Sequence, residues 1–111
     1  NANPTSMYAA LLNFEKQIGN KIAILGDMFE LGNVAEQEHQ TIVDLTRTLS
    51  IDKIILVGSN FYKSENESEK VTQYKTFEEL QNHFNFSQIK NTKLLIKGSR
   101  GMALERVLDF L

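Results

Sequence analysis

The chain has 111 residues, 41% hydrophobic and 23% charged, the makeup of one ordinary globular domain. Its 12 Lys and Arg against 14 Asp and Glu give a net charge of −2 with the signs mixed along the chain, which argues against a nucleic-acid-binding stripe. There is no cysteine, which excludes disulfides and thiolate chemistry, and the longest apolar runs, such as Ile54-Ile55-Leu56-Val57, are far too short to span a membrane.

The spacing of Met7, Leu11, Phe14 and Ile18 predicts a helix from Thr5 to Ile18, with Pro4 and Thr5 or Ser6 as start signals and Gly19 as the stop. Lys21 to Leu25 is a short apolar run closed by Gly26 and reads as a buried strand. Asp27 to Asn33 is a loop. A second helix is expected from Val34 to Leu49, with Ala35, His39, Ile42, Leu45 and Leu49 inward. Lys53 to Val57 is a second buried strand, Phe61 and Tyr62 anchor a short helical turn, and polar Ser64 to Lys70 is expected to be mobile. Val71 to Lys75 reads as an edge strand. Thr76-Phe77-Glu78-Glu79 has the form of a capping box opening a helix from Phe77 to Phe84. Asn85 to Asn91 is irregular, Thr92 to Lys97 is a fourth strand, and Ser99 or Arg100 opens a last helix with Leu104, Val107, Leu108 and Leu111 inward. Phe77, Phe84 and Phe86 fill the core and its margin.

Apolar strands joined by helices call for a parallel sheet covered on both faces. The expected fold is therefore α/β: a Rossmann-like, doubly wound, mostly parallel sheet of four to six strands flanked by helices, in the order 3-2-1-4. Ligands of such sheets collect beyond the carboxyl ends of the strands, where the order reverses. That places interest between the first and fourth strands, at Gly26-Asp27-Met28-Phe29-Glu30-Leu31-Gly32 and Lys97-Gly98-Ser99-Arg100-Gly101.

Lys97 and Arg100 flank a Gly-Ser turn and suit an anion, with Arg100 able to grip a carboxylate or phosphate bidentately. The alternative is that Ser99 only caps a helix and the cations are solvated. Asp27 and Glu30 either receive a substrate ammonium or orient Arg100 or Lys97; the alternative is that Asp27 caps a helix and Glu30 is a surface residue. His39 is either a catalyst or a packed, hydrogen-bonded core histidine; His83 is expected at the surface. No histidine and carboxylate cluster has metal-ligand spacing. No G-x-x-x-x-G-K-[ST] and no G-x-G-x-x-G follows a strand, so nucleotide binding by this domain alone is not expected.

Three segments carry a resemblance: Asn1-Ala2-Asn3-Pro4-Thr5-Ser6-Met7, then Leu25 to Gly32 (LGDMFELG) with His39 following, then Leu95 to Met102 (LIKGSRGM). In this order and spacing, across essentially the whole chain, they resemble the C-terminal domain of the Mur ligases, among them the ligase that adds D-alanyl-D-alanine to the peptidoglycan precursor. The resemblance implies a Rossmann-like domain, residues 1–111, belonging to a three-domain bacterial cytoplasmic enzyme, expected to be a monomer. A first domain, holding the UDP-N-acetylmuramoyl-tripeptide, and a central domain, holding ATP and Mg2+, would lie outside this chain. The precursor carboxylate would be activated as an acyl phosphate and attacked by the dipeptide amine, while this domain positions the dipeptide and carries no catalytic residue of its own. Asn1, Asn3 and Pro4 would fall in the nucleotide-proximal segment entering the domain; the Asp and Tyr that usually precede it in the family are absent here. Asp27, Lys97, Ser99 and Arg100 would form the dipeptide pocket, with Glu30 and His39 on its wall. Two rivals remain: a sister ligase adding a single amino acid, although the D-N-P-R signature of one such sister is absent, and a stand-alone flavodoxin-like or receiver-like module, although the second strand ends Val57-Gly58-Ser59-Asn60 without an Asp.

Overall fold

The computed structural model describes residues 2–111. The chain runs through helix α1 (Pro4–Glu15), strand β1 (Lys21–Gly26), a 3-10 turn (Gly32–Val34) into α2 (Ala35–Thr48), β2 (Lys53–Val57), α3 (Ser59–Lys63), β3 (Val71–Tyr74) and α4 (Phe77–His83). A 3-10 turn (Phe86–Ile89), β4 (Lys93–Lys97) and two 3-10 segments, Arg100–Met102 and Leu104–Phe110, complete it. The four strands form one parallel sheet in the order β3-β2-β1-β4, matching the expected order.

Register explains the double burial of the central strands. Ile24 of β1 lies between Ile55 of β2 and Ile96 of β4. Successive side chains of a strand point to opposite faces. Ala23, Leu25, Ile54 and Leu56 therefore pack against Met7, Leu11 and Phe14 of α1, Ile42 and Val43 of α2 and Phe61 of α3. Ile22, Ile24, Ile55 and Val57 pack on the other face against Leu80, Phe84, Leu104 and Val107.

The first helix starts one residue earlier than expected because Asn3 is its cap. The Asn3 side chain accepts from the Ser6 amide at 2.9 Å, and the Asn3 amide donates to the Ser6 hydroxyl at 3.1 Å. The helix also stops earlier, at Glu15. The buried Lys21 ammonium donates to the Glu15 and Gln17 carbonyls at 2.6 and 2.8 Å, a positive charge on the negative helix end. Ile18 thus lies outside the helix and is 86% exposed instead of joining the stripe.

Three further expectations are corrected. The buried face of α2 is His39, Ile42, Val43 and Thr46, so Ala35 and Leu45 sit at its margin. Thr46 is tolerated inside because its hydroxyl donates to the Val43 carbonyl at 2.6 Å. In the Thr76 cap, the Glu79 carboxylate accepts from the Lys75 amide instead of the Thr76 amide, so the box is half-formed. The polar segment 64–70 is pinned: Gln40 accepts from the Glu65 amide and donates to the Glu65 carbonyl, at 2.8 and 3.0 Å.

The last helix is the largest correction. Ala103 adopts a left-handed conformation, φ 50°, that breaks the segment, and residues 104–110 wind as a 3-10 helix. Three residues per turn put Leu104 and Val107 inward, while Leu108 and Leu111 face out.

Met7→Ala should cost about 2–5 kcal/mol, because it empties a fully buried site between α1 and the sheet. Ile18→Lys should change stability by less than about 0.5 kcal/mol. Urea denaturation midpoints of the two variants check both.

Candidate functional site

The two glycine-bounded turns meet on one rim of the sheet, at the carboxyl ends of β1 and β4. The chain crosses from β1 to β2 on one side, and β4 lies on the other, so this is where the strand order reverses. A parallel strand leaving its sheet must find partners for its next backbone amides. Here three consecutive amides go to three different elements. Asp27 donates to the Val57 carbonyl of β2 at 3.0 Å, Met28 to His39 Nε2 of α2 at 3.0 Å, and Phe29 to the Ser99 hydroxyl after β4 at 2.8 Å. The Ser99 amide returns a bond to the Asp27 carbonyl at 3.0 Å. The turns touch so closely that a Cβ on Gly98 would lie 2.9 Å from Gly26 Cα.

Asp27 is 2% exposed, and its carboxylate is committed inside the fold. One oxygen accepts from the Asn60 amide at 2.8 Å and the other from the Phe61 amide at 2.9 Å, tying down the start of α3. Gly58, at φ +128°, leaves room for that approach; a Cβ there would fall inside the Asp27 carboxylate. His39 is fully buried edge-on to the Phe61 ring. Its Nδ1 bonds the Ala35 carbonyl at 2.7 Å and so carries the proton, which leaves Nε2 to accept from Met28. The Asp27 carboxylate is 3.8 Å from Nε2. Asp27, His39 and Ser99 thus come together as the frame of the rim.

The residues that face outward are different. Lys97, Ser99 and Arg100 line a cleft of about 470 Å3 together with Ala2, Ile96, Gly98, Leu104, Glu105 and Leu108. Ser99 presents little of itself there: it is 2% exposed, and its hydroxyl accepts from Phe29 and donates to the Ala2 carbonyl at 3.4 Å. Arg100 opens only a three-residue 3-10 turn, so the helix expected to start beside the Gly-Ser turn is absent and no helix dipole adds to the two cations. Glu30 is exposed at φ 63° at the tip of the first turn. Asn3 and Pro4 border a second groove of about 690 Å3 with Ser6, Leu31, Val34 and Glu38. Asn1 lies outside the described residues.

The sequence reading missed Glu105 and the carbon wall of Ile96, Leu104 and Leu108. Glu105 and Leu108 take their places from the 3-10 geometry, which no apolar period announced, while Ile96 comes from β4. Among the described residues no three His, Asp or Glu side chains gather as a metal-ligand set. Burial pushes the Tyr74 phenol up, but Tyr74 belongs to edge strand β3, across the sheet from β4.

Residues 1–100 match the family model described as "Mur ligase, glutamate ligase domain". The chain is 35% identical to the UDP-N-acetylmuramoyl-tripeptide–D-alanyl-D-alanine ligase of Rickettsia prowazekii, over 99% of this chain and 25% of that protein. It is 32% identical to the ligase of the same name from Bacillus subtilis, over 97% of this chain and 25% of that protein. A crystal structure of MurF from Acinetobacter baumannii superposes with a TM-score of 0.86 at 33% identity, covering 100% of this chain and 26% of that one. The chain therefore spans about a quarter of the length of the curated relatives it matches.

Gly58→Ala should destabilise the fold by at least about 2 kcal/mol, from the left-handed backbone and the collision with Asp27. His39→Phe should cost about 1–3 kcal/mol by stranding the Met28 amide, and His39→Gln, which can still accept, should cost less. Thermal and denaturant unfolding of the three variants checks the ranking.

Proposed function

The chain belongs to the Mur ligase family, and from that premise we propose that it is the C-terminal, substrate-positioning domain of a ligase joining D-alanyl-D-alanine to UDP-N-acetylmuramoyl-tripeptide. The relatives that align along nearly all of it carry that name. One observation carries the reading furthest: a rigid rim at the sheet's reversal point, from which Lys97 and Arg100 line an open cleft.

The chemistry asked of this domain is positioning. A dipeptide brings a carboxylate, which a guanidinium and an ammonium can hold by charge-assisted hydrogen bonds. Lys97 makes no hydrogen bond or ion pair with its side chain among the described residues, so its ammonium can turn to a ligand. Holding the carboxylate at one end fixes where the amine lies at the other, which converts a collision into an oriented approach. The hydrogen-bonded frame beneath keeps that geometry from drifting.

In the proposed reading this chain is not the main holder of ATP and Mg2+. It has no phosphate-cradling G-x-x-x-x-G-K-[ST] segment, and its acids and histidines form no metal-ligand trio among the described residues. In the reading proposed here both are held by further domains of the ligase, as is the UDP-linked tripeptide. Asn3 and Pro4 border the second groove, and in the proposed reading they belong to the segment nearest the nucleotide. The enzyme would act as a monomer in the bacterial cytoplasm.

In the complete ligase, Lys97→Ala and Arg100→Ala should each raise the apparent KM for D-alanyl-D-alanine by about tenfold or more, the loss of one charge-assisted bond. The KM for ATP should stay within about twofold. Steady-state phosphate release measures both, and an unchanged dipeptide KM in both variants would remove the cleft from substrate binding.

A further inference from the structure

The dipeptide that this cleft is proposed to hold has two charged ends, and the two cations account for only one. The sequence pointed to Asp27 and Glu30, either for the ammonium or for orienting the cations, and Glu30 does not line the cleft. Asp27 is buried with each oxygen held by a backbone amide, so reaching a ligand would strand the start of α3. One acidic side chain lines the cleft itself, and it is Glu105.

We propose that Glu105 receives the ammonium of the dipeptide in the cleft that Lys97 and Arg100 also line, so that the site reads both ends of a small zwitterion. The inference rests on the proposed ligase function and adds a specificity residue to it.

The placement of Glu105 comes from the 3-10 helix. Three residues per turn eclipse positions i and i+3. Leu104 and Val107 share the inward face and are buried, at 4% and 0% exposure. Glu105 and Leu108 share the next face, and both line the cleft. In an α-helix Leu108 would instead fall with Leu104 on the buried face and leave the cleft wall.

Charge supports the same role. The Glu105 side chain makes no ion pair or hydrogen bond among the described residues. The neighbouring cation, Arg106, is turned away: its guanidinium donates to the Ala103 and Met102 carbonyls at 2.8 and 2.9 Å and lies 3.9 Å over the Phe77 ring. Glu105 therefore faces the cleft as an acceptor that its own element does not neutralise. Ile96 and Leu108 line the same cleft and offer carbon surface to small apolar side chains. Cations, one carboxylate and an apolar floor match a short, unblocked peptide of small residues better than a dianion, a sugar or a nucleotide.

The test uses the complete ligase and two probes, D-alanyl-D-alanine as substrate and N-acetyl-D-alanyl-D-alanine as a competitive inhibitor without the ammonium. Glu105→Gln should raise the dipeptide KM about tenfold while leaving the inhibition constant of the acetylated probe within about twofold. Glu105→Asp, which keeps the charge, should recover most of the loss, and melting temperatures should match the wild type. Equal shifts for both probes, or none for either, would overturn the inference while leaving the ligase reading intact. Absence of dipeptide-dependent phosphate release by the wild-type ligase would overturn both.

Discussion

Everything at the functional end of this domain depends on how β1 leaves the sheet. Its next three backbone amides are claimed by β2, by α2 and by the turn after β4. A buried amide without a partner costs about 1–3 kcal/mol, so these bonds hold the turn in one arrangement. They also lock four elements to one another at a single point, because Asp27, in that same turn, ties down the start of α3. The rim is therefore a junction, stiff because its backbone groups have no alternative partners.

That stiffness sorts the charged and polar residues into two kinds. Asp27, His39 and Ser99 are short, buried and fully engaged; they set where the turns sit. Lys97, Arg100 and Glu105 are long and line the cleft beside that frame. A long charged side chain can hold a ligand well only if its base is fixed, since otherwise binding must also order the backbone. The glycines serve the same end: with Gly26 and Gly98 almost in contact, the two turns act as one body. Under the proposed function, a domain that presents an amine to a carboxyl group gains from that, because orientation survives only if the carrier does not flex.

Much of the fold was legible along the chain. KIAIL, KIILV and TKLLIK are apolar runs closed by glycine, and two-sided burial of a parallel strand demands that pattern. The strand order came from the same runs alternating with helical stripes. Errors arose where a local contact overrode a period. Lys21 reached back to end α1 before Ile18, and the left-handed Ala103 turned a would-be α-helix into a 3-10 helix. The second error hid Glu105, because an assumed spacing of 3.6 residues puts Leu108 in the core and draws attention away from the neighbouring face.

The sequence by itself determined the sheet, its order and the two turns that would meet, because burial on both faces and glycine at strand ends are written in residue type and spacing. Only the tertiary structure decided which polar residues those turns consume and which they offer. Asp27 and Glu105 are both carboxylates near the same rim, but one is surrounded by backbone amides from an element 33 residues away in sequence, and the other by solvent. No local pattern distinguishes them, since the difference lies in partners that only folding brings within reach.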